Sequence, residues 1–108
     1  MSQAVEWTST ARYDLEEIIE YIAQDNIDAA LRVLDRIEER AKKLADLSLR
    51  GRLLPELLDT GISHYRELIE SPWRIVYHQI DQVIYIVAVL DSRRDLEALL
   101  LNRFGRSA

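Results

Sequence analysis

Arginine is the residue type in this sequence best placed to do chemistry. Arg50 and Arg52 share one short stretch, Arg66 and Arg74 fall in strand-like runs, and Arg93 and Arg94 are adjacent. A guanidinium presents a planar fork of N–H donors that fits a carboxylate or a phosphate. Gathered on one surface, these groups would bind an anion or a charged partner. The plainer alternative is pairing with Glu56, Glu67 and Asp91, as surface arginines usually do. Other chemistries have less support. His64 and His78 are the only histidines, and neither has an acidic residue at zinc-like spacing, so neither a metal site nor a cofactor is expected. None of the serines sits in a nucleophile-elbow sequence, and the three glycines form no phosphate-binding loop. Cysteine is absent, which removes disulfides and thiolate sites. The pairs Glu16-Glu17 and Glu38-Glu39 read as solvated helix faces.

The elements that must position these side chains follow from hydrophobic spacing. Ala4 to Thr8 reads as a short strand with Val5 and Trp7 on one face. Ser9 or Thr10 can cap a helix whose apolar positions are Leu15, Ile18, Ile19 and Ile22. A second helix is expected from about Asp28 to Leu47, with Ala30, Leu34, Ile37, Ala41 and Leu44 on one stripe. Glu38 with Lys42 and Glu39 with Lys43 stand in the favourable acid-first order on its other face. The link at Asp25-Asn26 is so short that the two helices must pack antiparallel. Gly51 and Pro55 interrupt the pattern, making Ser48 to Thr60 mainly a connecting loop.

Three β-rich runs follow: Ile62 to Ile69, Trp73 to Ile80 and Val83 to Leu90. Their short links make them an antiparallel meander. The last run is apolar on both faces and reads as the central, doubly covered strand, in which Ile86→Asp and Val87→Asp should both unfold the protein. Asp95 to Phe104 reads as a C-terminal helix or tail. The fold class is therefore α+β, ordered β-α-α-β-β-β(-α), with a helical hairpin on one face of the meander and the other face partly open. The arginines would lie on that open face. Residues 1–108 read as a single domain, a size that buries roughly two thirds of its unfolded surface.

Charge and hydropathy bound the partners. Residues 1–47 hold eleven Asp/Glu against six Lys/Arg, whereas residues 48–108 hold eight of each, and the formal net charge is −5. Free-standing nucleic-acid binding is not expected of such a chain. Val83 to Leu90, the longest nearly apolar stretch, is less than half of what a membrane helix needs, and Met1 to Val5 does not resemble a signal peptide. The expectation is a cytoplasmic protein with no membrane partner.

Several segments together resemble a known family. Gly51-Arg52-x-x-Pro55-Glu56-Leu57, Gly61-Ile62 and Tyr65-Arg66-Glu67-Leu68 resemble the central signature of RelE/ParE toxins. Trp73-Arg74-Ile75-Val76-Tyr77 and Val87 to Asp95 are similar to the last two strands of that family. Trp7, Ala11, Asp14, Leu15, Ile18, Tyr21 and Ile22 match its N-terminal pattern. The resemblance runs in order along essentially the whole chain. It implies a cytoplasmic toxin held inactive by a co-expressed antitoxin, in one of two branches: RelE-like members cleave mRNA on the ribosome without a metal, and ParE-like members poison DNA gyrase.

The residues lean toward the ParE-like branch. A metal-free nuclease needs cations for the phosphorane and an acid/base for the 2′-hydroxyl. Arg74 and Arg93 match the positions of two catalytic arginines, but Leu96 to Leu101 contains no tyrosine or histidine, and the acidic N-terminal half lacks lysines to grip ribosomal RNA. In the gyrase reading Arg93 and Arg94, with Arg66 and Arg74, would contact the target. Ile18, Ile19, Ile22, Val33 and Leu34 exceed what one sheet contact needs and would bind the antitoxin. A RelE-like mRNA endoribonuclease and a non-toxic interaction module remain the alternatives.

Overall fold

The computed structural model describes residues 3–47, 51–58, 60–93 and 96–104. Strand β1 (Ala4–Trp7) leads into helices α1 (Ser9–Ala23), α2 (Ile27–Lys42) and α3 (Leu44–Leu47). Then come β2 (Arg52–Leu53), α4 (Pro55–Leu58), β3 (Arg66–Glu70), β4 (Trp73–Ile80), β5 (Val83–Asp91) and α5 (Glu97–Phe104). The sheet order is β1-β5-β4-β3-β2. The β3-β4-β5 meander is antiparallel, β2 adds antiparallel to β3, and β1 lies parallel to β5 from Ala4↔Val83 to Trp7↔Ile86. The centre of the order is thus β4, and β5 is the interior strand beside it, one place from where the hydrophobic run suggested.

Thr8 joins the first strand to the first helix. Its Oγ1 accepts from the Ala11 N–H at 3.2 Å and donates to the Ile86 carbonyl, while its own N–H also reaches that carbonyl. It takes the capping role expected of Ser9 or Thr10 because one residue can then satisfy both the helix end and the sheet. Asn26 caps α2 through Oδ1 and the Ala29 N–H at 3.0 Å. The second helix breaks at Lys43 although its apolar stripe runs on through Leu44. The break lets the Ala45 carbonyl accept from the Gln3 N–H at 2.8 Å, which ties α3 to the start of β1. Among the described ion pairs, Lys42 meets Glu39 one turn back instead of Glu38.

Both faces of the sheet are covered, a correction to the expected open face. On one side α1, α2 and α3 bury Leu15, Ile37, Ala41 and Leu44 against Trp73, Ile75, Tyr77, Ile84 and Ile86. On the other, Leu54, Leu57, Leu96, Leu100 and Phe104 bury Val76, Ala88 and Leu90. The stretch expected as a loop contributes β2 and α4 to this second core, because Leu54 and Leu57 can be buried only if the chain turns back over the sheet. In the two-residue turn from β4 to β5, Asp81 has φ 55°, a left-handed conformation that aspartate tolerates.

The two cores explain why β5 is apolar throughout. Val76 pairs with Ala88 and Tyr77 with Ile86, so Val87 is an extra residue in a β-bulge. The bulge shifts the alternation: Ile84, Ile86 and Val89 face the hairpin, and Val87, Ala88 and Leu90 face α4 and α5. Ile86 is fully buried and Val87 is half-buried. Ile86→Asp is therefore expected to abolish cooperative melting, since an unpaired buried charge costs several kcal/mol, on the order of the whole stability. Val87→Asp is expected to melt cooperatively at a lower temperature. Thermal denaturation followed by circular dichroism separates the two, and equal loss in both would remove the distinction drawn from the bulge.

Candidate functional site

Among the described residues, the arginines expected to form one patch are dispersed, with Arg52 and Arg74 alone sharing a partner, Glu67. Arg74 points from β4 toward α4 and is buried, with only 5% of its surface exposed. Its Nε donates to Glu67 Oε1 at 2.5 Å, and Nη1 and Nη2 donate to the two oxygens of Glu56, each at 2.7 Å. Glu67 is 1% exposed and accepts from Arg52 Nε at 2.6 Å with its second oxygen. Four elements, β2, β3, β4 and α4, thus meet in one charged cluster. The Glu56 carboxylate holds the Arg74 pKa above the ordinary arginine value, and the Arg74 hydrogen bonds draw Glu56 below the usual carboxylate range. Arg74 is committed to the protein interior and does not stand on a target-binding surface.

Arg66 alternates with Leu68 on the hairpin side of the sheet, the opposite side from Glu67. Its Nη1 donates to the Gly51 carbonyl at 2.8 Å. The Gly51 N–H in turn donates to Tyr77 Oη at 2.9 Å. A side chain at Gly51 would collide with Tyr77 Oη and come within 2.7 Å of the Glu67 carbonyl, so the close approach requires glycine. Burial raises the Tyr77 pKa, opposed by the Gly51 hydrogen bond.

Arg93 is exposed, as is the side chain of Arg52. Its Nε and Nη2 grip the two oxygens of Asp91 at 2.9 and 2.7 Å, and its backbone N–H reaches Asp91 Oδ1. Arg94 lies outside the described residues. Asp91 and Arg93 stand at the rim of an open cavity of about 400 Å³ lined by Glu17, Ile18, Tyr21, Ile22 and Trp73. The structure therefore brings Arg93 together with Ile18 and Ile22, two groups the sequence assigned to different partners. Trp73 packs into the hairpin core with Arg36 over its ring at 5.9 Å. Ile19 and Leu34 line a separate groove between α1 and α2. Val33 packs half-buried against the first core and lines neither cavity.

One constellation escaped the sequence reading. Asp14 on α1 accepts from the Val89 N–H at 3.1 Å and from Arg103 Nη1 and Nη2 at 2.8 and 3.1 Å, tying α1, β5 and α5 together. Nothing in the local pattern relates positions so far apart. His64 and His78 lie 6.0 Å apart beside Tyr65, which stacks on His78 at 5.1 Å and meets Phe104 at 4.5 Å. Burial and the nearby His64 lower the His78 pKa. Among the described residues no cluster of three or more His, Cys, Asp or Glu could hold a metal ion.

Fold and site together define a small α+β protein with an acidic helical hairpin and an arginine at the exit of its meander. Residues 5–96 match the family described as the ParE toxin of the type II toxin–antitoxin system parDE. The chain is 36% identical over 95 residues to the toxin RelE2 of Caulobacter vibrioides, covering 87% of this chain and 99% of that protein. The fold is shared with a chain of the chromosomal ParDE system from P. aeruginosa, at a TM-score of 0.68 and 22% identity over 83% of this chain and 96% of the other. It is shared also with a chain of the toxin–antitoxin complex RelBE2 from Mycobacterium tuberculosis, at a TM-score of 0.63 and 23% identity over 84% and 92%. The chain belongs to the ParE toxin family of type II toxin–antitoxin systems, within the ParE/RelE superfamily.

The buried cluster has measurable consequences. Arg74→Ala leaves Glu67 short of a partner and should cost about 3–5 kcal/mol, read as a lower denaturation midpoint. Because the folded-state pKa of Glu56 is depressed, its contribution is present above the unfolded value and is lost as pH falls through the folded value. The stability gap between wild type and Glu56→Gln should therefore be widest near neutral pH and close on acidification. A gap unchanged between neutral pH and about pH 3, below the unfolded glutamate value, would contradict this role.

Proposed function

We propose that this chain is the toxin of a type II toxin–antitoxin pair, acts in the cytoplasm as one domain, and has DNA gyrase as its target. The observation that carries the choice of target is the burial of Arg74. A metal-free nuclease must present cations to the phosphorane, and here the arginine that matches such a position has three of its N–H groups on Glu56 and Glu67 inside the protein. A gyrase poison needs a contact surface and no acid/base set. Arg93, with Arg94, supplies the charged part of that surface.

In this reading the antitoxin covers the hairpin at Ile18, Ile19, Ile22, Val33 and Leu34. Because Ile18 and Ile22 share a cavity with Arg93, the same segment occludes the target contact, and neutralisation is direct. Purified toxin is expected to inhibit gyrase supercoiling and to leave mRNA intact on translating ribosomes in a parallel assay. Ribosome-dependent cleavage with gyrase unaffected would overturn the gyrase reading. At equal expression, the Arg93→Ala/Arg94→Ala variant should lose growth inhibition. Unchanged toxicity would reduce Arg93 to its pairing with Asp91, a surface contact worth about 1 kcal/mol or less.

A further inference from the structure

The groove between α1 and α2 has a floor and a rim of different chemistry. Leu15, Ile19 and Leu34 form an apolar floor, and the opening of about 220 Å³ is rimmed by Glu16, Glu20, Glu38 and Arg12. All three glutamates are exposed, and among the described residues none has an ion-pair partner. Arg12 lines the same opening with its guanidinium 5.7 Å from the centre of the Trp7 ring, and one cation against three carboxylates leaves the rim net negative. Glu16 and Glu20 stand one turn apart on α1, a like-charge spacing that disfavours the helix in isolation. The floor needs a cover and the rim repels anions. Together they select an occupant with an apolar ridge and positive flanks.

We infer that this groove recognises a basic amphipathic helix of the antitoxin, whose aliphatic anchor sits on Ile19 and Leu34 between lysines or arginines facing Glu16, Glu20 and Glu38. The inference rests on the antitoxin reading above and adds the chemistry of the partner. A helix laid in a groove takes its affinity from anchors at i and i+4 spacing. The carboxylates set which helix is accepted and how quickly it arrives, since charge complementarity acts on specificity and on the association rate. A nucleic acid or a second copy of this acidic hairpin is disfavoured by the same rim.

The test uses the full chain and two fluorescein-labelled amphipathic peptides with identical leucine anchors, one flanked by lysines and one by glutamates. Fluorescence anisotropy should show the lysine peptide binding at least roughly tenfold more tightly, with the preference shrinking as salt rises. The preference should vanish in Glu16→Gln/Glu20→Gln/Glu38→Gln and invert in the corresponding triple lysine variant. These positions are exposed, and unchanged thermal melting confirms that the fold is intact. Equal binding of both peptides, or a preference insensitive to the substitutions, overturns the inference. Self-association abolished by the triple substitution assigns the groove to a second copy and overturns it too. A protein co-expressed from the adjacent reading frame that binds wild type and the triple lysine variant equally well overturns the charge selection while leaving the antitoxin reading standing. If no such protein binds although the lysine-peptide preference holds, the antitoxin reading fails and the chemistry of the groove stands.

Discussion

Glu67 is a carboxylate almost wholly removed from water at the point where β2, β3 and β4 meet. Such a group is tolerable only when opposite charge and hydrogen bonds replace its hydration, and Arg74 and Arg52 supply both. Arg74 is buried as well and needs a further acceptor, which Glu56 provides from α4. Each burial demands the next, so a two-residue strand and a four-residue helix that could not persist alone are held at defined places over the sheet. Gly51, squeezed between Tyr77 and the Glu67 backbone, sets the entry into this corner. The second core, with Leu54 and Leu57 within it, depends on that anchoring.

The same corner fixes where Arg74 and Arg66 go. With Arg74 consumed inside and Arg66 bonded to the Gly51 carbonyl on the other side of the sheet, Arg93 remains exposed at the exit of the meander. Its clasp on Asp91 holds the guanidinium at a cavity shared with the α1 isoleucines. The acidic hairpin and the arginine are thus neighbours in space although they come from opposite ends of the chain.

Much of this was legible from residue spacing. The hairpin followed from the isoleucine stripe of α1 and the Ala30-Ile37-Ala41 stripe of α2, since helical periodicity is a local signal. The meander followed from three β-rich runs with links too short for any other connection. What the sequence hid was long-range. Leu54 and Leu57 look like loop residues until a sheet face exists for them to cover. The parallel pairing of β1 leaves no trace in the four residues of that strand. Arg74 reads as an available cation from its own neighbours, and only the approach of Glu56 from α4 shows that it is spent. Pairing with Glu56, Glu67 and Asp91 was visible as an alternative; geometry shows it buried and complete for Arg74, and at an exposed site for Arg93.

The parallel edge also bears on how the molecule is made. Thr8 and its partner Ile86 are 78 residues apart in sequence, so the first strand has no strand to pair with until β5 has been synthesised. The α1–α2 hairpin can form from local contacts during that interval, whereas closing so long a loop is a late and comparatively slow event. The half-made chain therefore displays its acidic hairpin, the surface assigned to the neutralising partner, before Arg93 has been polymerised at all. Under the proposed assignment of the antitoxin to the hairpin and of the target contact to Arg93, that order lets capture begin on the ribosome, ahead of the moment at which the target contact first exists.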